Sequence, residues 1–334
     1  MAKATKPLVT VVIPAYRAEG TVARTIKSVQ AQPGVVCDII VVVDGSFDRT
    51  TEVAESFEQV RVLVNRTNQG APAARNRGLF AASSDYIMFL DADDYIQPPL
   101  LEGLVKTIQQ AKADICIGRC ADEFPDGSLV DRPLVDFGSR LSLIESWLDR
   151  RSNVPSSILW RRTYVASIGG WNEQLLKYQD IELVIRALLD GAIYSWTDSG
   201  RGVWCQTSAP SRLSRTISRE SMSSLVWVLS SMQESLERAG YLTEKLKAIL
   251  AKQYAETARI CFYYGYTDLG RKALDQAKKL GDWMKGSLFH RVAVFVLGLE
   301  YKEQLAKKLH FFSRSTKWLL SELKEHLQRG DNIP

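Results

Sequence analysis

Apolar positions along the chain follow two alternating periods. Residues 8–13 form a short β-branched run closed by Pro14, the pattern of a buried strand. Thr21 then stands where a helix cap is expected, and Val22, Ile26 and Val29 recur at helical spacing. The same pair repeats: strands over 38–43, 60–64 and 86–90, and helices over 49–57 and 71–82. Such alternation predicts an α/β fold, a Rossmann-like, mostly parallel sheet with helices on both faces. Beyond Pro98-Pro99 the pattern continues with a helix to about 113, a strand over 114–118 and a turn at Pro125-Asp126-Gly127. A helix over 139–150, a strand over 156–160 and a helix from about 180 to 190 follow, then strand-like runs at 192–196 and 202–205. A polar loop spans 206–219, and from Glu220 no strand pattern survives. The expected organisation is an α/β domain over 1–218 and a helical C-terminal region over 219–334.

An apolar content of 46% in 334 residues suffices for one large domain with a helical extension. The five cysteines are scattered, and although Cys116 and Cys120 stand four apart, no second Cys/His pair completes a zinc set. They read as reduced and structural. The basic residues 1–7 precede too short an apolar run for a cleavable signal, and the run 292–299 is too short for a span. A cytoplasmic protein is expected. Residues 1–218 carry 24 basic and 25 acidic side chains, against 19 and 13 in residues 219–334, so the basic excess lies in the tail. His290, His310 and His326 also lie there, which leaves carboxylate, Lys, Tyr or Cys as the general base of the α/β domain.

Ligands of open α/β sheets bind beyond the carboxyl ends of the strands, where the strand order reverses. The predicted strand ends carry Ala15-Tyr16, Asp44-Gly45-Ser46, the segment 65–70 and Asp91-Ala92-Asp93-Asp94. Neither G-x-G-x-x-G nor G-x-x-x-x-G-K-[ST] is present, which argues against dinucleotide and P-loop sites. Three carboxylates within four residues repel one another, and a divalent cation relieves that repulsion. Mg²⁺ or Mn²⁺ takes one or two carboxylates and completes its shell with phosphate oxygens and water. The alternative is an acidic turn before the next helix.

The runs Val11-Val12-Ile13-Pro14-Ala15-Tyr16, Val43-Asp44-Gly45-Ser46-Phe47-Asp48, Ala74-Arg75-Asn76-x-Gly78 and Phe89-Leu90-Asp91-Ala92-Asp93-Asp94 occur in order. Ile168-Gly169-Gly170-Trp171-Asn172-Glu173 and Gln179-Asp180 complete the series. Together they resemble the family 2 glycosyltransferases over roughly residues 6–215. That resemblance implies a GT-A type fold and inverting transfer of a sugar from a nucleotide diphosphate-sugar. It places Pro14, Ala15 and Tyr16 along the nucleotide pocket and Asp44 on a pyrimidine base. Asp91, with Ala92 beside it, falls on the sugar or ribose side, and Asp93 on the metal, Mn²⁺ or Mg²⁺. Arg75 falls near the nucleotide, and Asp180 matches the general base. Two positions depart from the family pattern: Val43 replaces the first Asp of Asp-Asp-Gly-Ser, and Gln179 replaces the Glu before the base.

The expected reaction moves a sugar, with uridine diphosphate as the carrier that Asp44 suits and thymidine or guanosine diphosphate as alternatives, to a hydroxyl of a saccharide or lipid-linked acceptor in polysaccharide or glycoconjugate synthesis. Two readings compete. A nucleotidyltransferase would want more basic residues than Arg17 after the first strand, and a non-catalytic nucleotide-sugar scaffold finds support only in Val43 and Gln179. Trp160, Trp171 and Trp204 are candidates for stacking on sugar, and Lys177 and Tyr178 for touching the acceptor. In the tail, residues 255–264 and 268–280, joined at Gly265, resemble one tetratricopeptide-like hairpin. Further on, Leu305, Leu309, Phe312, Leu319, Leu323 and Leu327 form an apolar stripe ending near Gly330, with Lys307, Lys308, Arg314, Lys317 and Lys324 on other faces. Such a helix packs on protein or lies on an anionic membrane, where it would hold the enzyme at the inner face beside a lipid-linked acceptor. Nucleic acid is not an expected partner, since no basic patch is interleaved with aromatics.

Overall fold

The computed structural model describes residues 7–149, 154–206, 217–281, 298–304 and 307. The β-branched runs become β1 (Val9–Ala15), β2 (Cys37–Asp44), β3 (Val60–Asn65) and β4 (Tyr86–Phe89), all parallel, in the order β3-β2-β1-β4. Val9, Val11 and Ile13 share one face with Ile39, Val41, Val43 and Met88, and pack there against α1 (Val22–Gln30) and α4 (Leu100–Gln110). On the other face α3 (Ala71–Ala81) runs so close to β1 that a Cβ on Gly78 would overlap the methyls of Val12. The period of two in β1 thus buries both faces, as helices on both sides require.

The second half of the sheet is mixed. β8 (Ile158–Arg161) is antiparallel to both β4 and β6 (Ile115–Glu123), and β9 (Tyr194–Cys205) is parallel to β6. Two short strands, β5 (Tyr95–Gln97) on β9 and β7 (Leu129–Asp131) on β6, complete nine. Strand order reverses at β1, which has β2 on one side and β4 on the other. The ends of these three strands therefore converge, and with them Pro14–Tyr16, Asp44 and the 91–94 loop.

Several elements differ from the sequence pattern. β1 runs through Pro14, which is in register with Val42. Leu90 donates to the Val12 carbonyl, so that edge of β1 faces β4. Two residues on, the Pro14 nitrogen faces the same way, past the end of β4, where the ladder asks for no donor. The runs at 192–196 and 202–205 are one strand with a register shift opposite Ile117–Arg119. Polar Thr197, Asp198 and Ser199 between them hid its continuity. The strand expected from 156 starts at Ile158, after a 3-10 turn at Pro155–Ser157. β5, β7 and α6 (Arg162–Ser167) are too short to show a period, and the helices expected over 49–57 and 139–150 are α2 (Thr50–Glu55) and α5 (Arg140–Leu148).

The chain forms two compact units, residues 1–216 with 230–242, and 217–229 with 243–334. Helix α8 (Arg219–Arg238) contributes to both. In the second unit the hairpin comprises α9 (Glu244–Tyr264), capped by the Thr243 side chain, and α10 (Thr267–Leu280). The start of α9 lies well before the expected 255, because Thr243 provides the cap there. Among the described residues no helix is long and apolar enough to cross a membrane. The apolar stripe ending near Gly330 and all three histidines lie outside the described residues, as does Arg150 at the end of the predicted 139–150 helix.

The contact of Gly78 with Val12 predicts that Gly78→Ala lowers stability by roughly 1–3 kcal/mol, the overpacking exceeding the helix-propensity gain of about 1 kcal/mol. Urea denaturation would show it as a lower midpoint at an unchanged slope.

Candidate active site

The loop after β2 is built on one carboxylate. Asp44 is 3% exposed. Its Oδ1 accepts from Asn65 Nδ2 at 2.7 Å and Gln69 N at 3.0 Å, and its Oδ2 from Gln69 N at 3.1 Å and Gly70 N at 2.8 Å. Gly45, at φ +66°, lies directly under the backbone of Thr67 and Asn68, where a Cβ would overlap it. Asp44 therefore fixes the 65–70 loop, and a base-binding role would have to share a carboxylate already accepting from three donors. Asp48 does comparable work one turn later. Its Oδ1 accepts from Ser46 Oγ, from Thr50 N at 3.3 Å and from Thr50 Oγ1 at 2.7 Å, and its Oδ2 from Glu19 N at 3.3 Å. Burial alone would raise the Asp48 carboxyl, but these bonds hold it below its ordinary range. Pro14 is half-buried, Ala15 is buried, and Tyr16 is 44% exposed with the Arg17 guanidinium 5.3 Å from its ring.

A second cluster brings together residues more than 100 positions apart. Arg75, on α3, is 5% exposed. It donates to Asp91 Oδ1 at 2.6 Å and to Gln179 Oε1 at 2.8 Å, and its Cζ lies 4.3 Å from the centroid of the Trp171 ring. Trp171, 3% exposed, meets Phe89 edge-on at 5.1 Å. Asn76 holds the same loop: its amide donates to Trp171 O and Glu173 Oε1, and its oxygen accepts from Trp171 N, each at 2.8 Å. Trp171 thus floors the arginine, and its burial removes it from the candidates for sugar stacking. Trp160 is buried as well, and the Trp204 ring carries the Arg132 guanidinium at 4.9 Å.

Asp180 occupies the first turn of α7 (Gln179–Asp190), where the helix dipole favours negative charge. Burial pushes its carboxyl above the ordinary range, and Asp91 adds to the rise; the Ile181 amide and the Arg75 charge oppose it. Tyr178, just before α7, adopts a left-handed conformation at φ 58°. Gln179 both accepts from Arg75 and donates through Nε2 to Leu175 O at 2.9 Å.

In the 91–94 loop the three carboxylates have different surroundings. Asp91 is paired with Arg75, Asp94 is 1% exposed and accepts from Cys205 N at 3.0 Å, and Asp93 is half-buried. Ala92 is buried, and its carbonyl accepts from Thr25 Oγ1 at 2.9 Å. Among the described residues no group of three or more His, Cys, Asp and Glu side chains could hold a metal ion. A set of one or two carboxylates still fits Mg²⁺ or Mn²⁺ when a diphosphate supplies the remaining oxygens.

Sequence reasoning brought Arg75, Asp91, Asp93 and Asp180 to one region but missed the parts of Thr25, Asn76 and Gln179. No period or spacing in the sequence signals these three contacts.

Residues 10–163 match the family model described as glycosyl transferase family 2. Glycosyltransferase AglE of Haloferax volcanii is 27% identical over 212 residues, covering 62% of this chain and 69% of that protein. Glycosyltransferase GlyA of Streptococcus pneumoniae is 36% identical over 113 residues, 33% of this chain and 16% of that protein. The succinoglycan biosynthesis protein ExoO of Rhizobium meliloti is 35% identical over 113 residues, 33% of this chain and 32% of that protein. The chain thus spans about a third or less of the length of these last two relatives. Among solved structures, S. aureus TarS 1–349 in complex with UDP-GlcNAc superposes with a TM-score of 0.58 at 16% identity, covering 83% of this chain and 90% of that one. The match to the family model covers less than half of the chain, and the likeness to TarS shows a fold of the GT-A type.

Loss of all three Asn76 bonds leaves the Trp171 amide and carbonyl buried without partners. Asn76→Ala is therefore expected to cost about 2–4 kcal/mol, measurable by chemical denaturation.

Proposed function

We propose that this chain is a cation-dependent, inverting glycosyltransferase that moves a sugar from a uridine diphosphate-sugar to a hydroxyl of a saccharide or lipid-linked acceptor in polysaccharide or glycoconjugate synthesis. The observation that carries the reading is the Arg75 brace, which ties the acidic 91–94 loop to the helix that presents Asp180. The structure of S. aureus TarS with UDP-GlcNAc, and the name of the relative ExoO, support the donor class and the setting.

In this reading the acceptor hydroxyl attacks the anomeric carbon from the face opposite the diphosphate. A new carbon–oxygen bond forms, the bond to the diphosphate breaks, and its electron pair leaves with the nucleotide. Asp180 takes the hydroxyl proton on its carboxylate, and its raised pKa makes it a stronger base than an ordinary aspartate. Asp93 would hold Mn²⁺ or Mg²⁺ on the diphosphate, where the ion supplies Lewis-acid neutralisation of the charge that develops on the leaving group. Asp91, held by Arg75, borders the donor side, and Pro14, Ala15 and Tyr16 border the nucleotide. The two departures from the family pattern do not favour a scaffold. Val43 is fully buried in β2, in register with Ala15 and Val64, and Gln179 keeps the contact with Arg75. Attachment to the inner membrane face through the tail belongs to this proposal, with the stripe outside the described residues.

Calorimetric titration with UDP tests the donor site. Binding is expected to depend on Mn²⁺ in the wild type and to fall at least tenfold in Asp93→Ala; wild type that ignores UDP with cation present sinks the assignment.

Asp180→Asn should lower kcat by roughly 10²–10⁴. Turnover should rise with pH through a midpoint above the ordinary carboxylate range, and Arg75→Met should move that midpoint up, because the Arg75 charge lowers it. The stability sign follows from the same shift. A carboxyl raised in the folded state stabilises at low pH and loses that contribution as pH rises through its folded value. Asp180→Asn is therefore expected to melt above the wild type at neutral pH, by differential scanning calorimetry; an equal or lower melting temperature contradicts it.

A further inference from the structure

The loop that carries Asp91, Asp93 and Asp94 is held from behind by helix α1. Thr25, fully buried, directs its hydroxyl at Ala92 O, 2.9 Å away, and at Asp94 O, 2.7 Å away. Its neighbour Arg24 donates through Nη2 to the carbonyl between them, Asp93 O, at 3.2 Å. Two adjacent residues of one helix thus address three successive carbonyls, while Asp94 N closes the turn on Asp91 O at 3.0 Å.

Arg24 does not act alone. Its Nη1 donates to Glu123 Oε2 at 3.0 Å, and Nη2 also approaches Cys205 Sγ at 2.8 Å. The guanidinium lies 4.8 Å from the Tyr95 ring centroid, and the Tyr95 hydroxyl donates to the other oxygen of Glu123 at 3.1 Å. Glu123 and Cys205 are register partners at the ends of β6 and β9, so the fork of Arg24 joins two strand ends to the acidic loop. Burial alone would raise the Glu123 carboxyl, yet bonds from Cys205, Tyr95 and Arg24 hold it below its ordinary value. Glu123 is therefore charged at neutral pH and balances the Arg24 guanidinium beside the acidic loop.

We propose that Arg24, oriented by Glu123, is a positioning residue that sets the backbone of the 91–94 loop for binding a nucleoside diphosphate together with its divalent cation. The inference rests on the donor-site reading above. A guanidinium suits the role because its rigid planar fork serves Glu123 and the Asp93 carbonyl from two nitrogens in fixed geometry, whereas an ammonium offers its three donors from a single nitrogen on a flexible stem. Arg24 is also nearly half-exposed, its side chain at 46%, so it is a small contributor to the core, and the purpose of its fixed geometry lies in the loop it holds.

The test is calorimetric binding of UDP to the full chain, with Mn²⁺ and with chelator, for wild type, Arg24→Ala and Arg24→Lys. Arg24→Ala should weaken Mn²⁺-dependent UDP binding by roughly 10- to 100-fold and leave binding in chelator unchanged, with Arg24→Lys intermediate. Equal affinities for Arg24→Ala and wild type in Mn²⁺ overturn the inference, as does an equal loss with and without the cation. Should Arg24→Ala fail to fold by circular dichroism, Arg24→Lys decides in its place, and wild-type binding by it is the overturning result. A wild type that binds no UDP fails the donor-site reading itself, whereas wild-type binding with unaltered variants fails this inference alone.

Discussion

The buried guanidinium of Arg75 is the constraint around which the candidate site is organised. A charge taken out of water costs several kcal/mol unless it is paired and hydrogen-bonded. Here the partners come from three separate stretches: Asp91 after β4, Gln179 at the start of α7, and the face of Trp171. None of these can move far without stranding the arginine. The acidic loop and the helix bearing Asp180 are therefore held at a fixed separation, although 89 positions divide Asp91 from Asp180 in sequence. Asn76, next to Arg75, fastens the Trp171 loop by three further bonds, so one turn of α3 holds the acidic loop, the start of α7 and the Trp171 loop together.

The scaffold makes this economical because strand order reverses at β1. Loops from adjacent parallel strands open on the same end of the sheet, and side chains placed there need only short reaches. The polar groups so gathered divide the labour between ligand and fold. Asp44, Asp48 and Asp94 accept from backbone amides of neighbouring loops, which orders those loops. Asp180 also accepts from the Ile181 amide, but burial outweighs that bond and raises its carboxyl. Aspartates alike in sequence thus differ in their acidity, set by whether donors or burial prevails around them.

What the sequence made legible follows from length and chemistry. Short β-branched runs such as 38–43 read as buried strands from their length and composition, and the order of the acidic strand ends pointed to the candidate site. Pro14 misled because a proline ends a strand only where its edge needs a donor, and that edge depends on where β4 stops. β9 was split because polar residues 197–199 look like a loop until β6 is laid beside them. Trp171 was invisible as the floor of Arg75, and Thr25 as the support of the acidic loop, because neither contact has a period or a spacing. Both are meetings of residues far apart in the chain, and only the fold brings them together.

Gln179 shows how a departure from a family pattern acquires meaning in place. Its amide accepts from Arg75 and donates to the Leu175 carbonyl, two opposite polarities on one side chain. A glutamate could accept from Arg75, but its second oxygen would face the Leu175 carbonyl with no proton to offer. It would also set another negative charge directly before Asp180, whose carboxyl burial and Asp91 already push upward. With glutamine there, no third carboxylate at this position competes with Asp91 and Asp180 for the charge of Arg75. The neutral residue therefore secures the loop before α7 without driving the Asp180 carboxyl further toward its protonated form, as the proposed reaction requires.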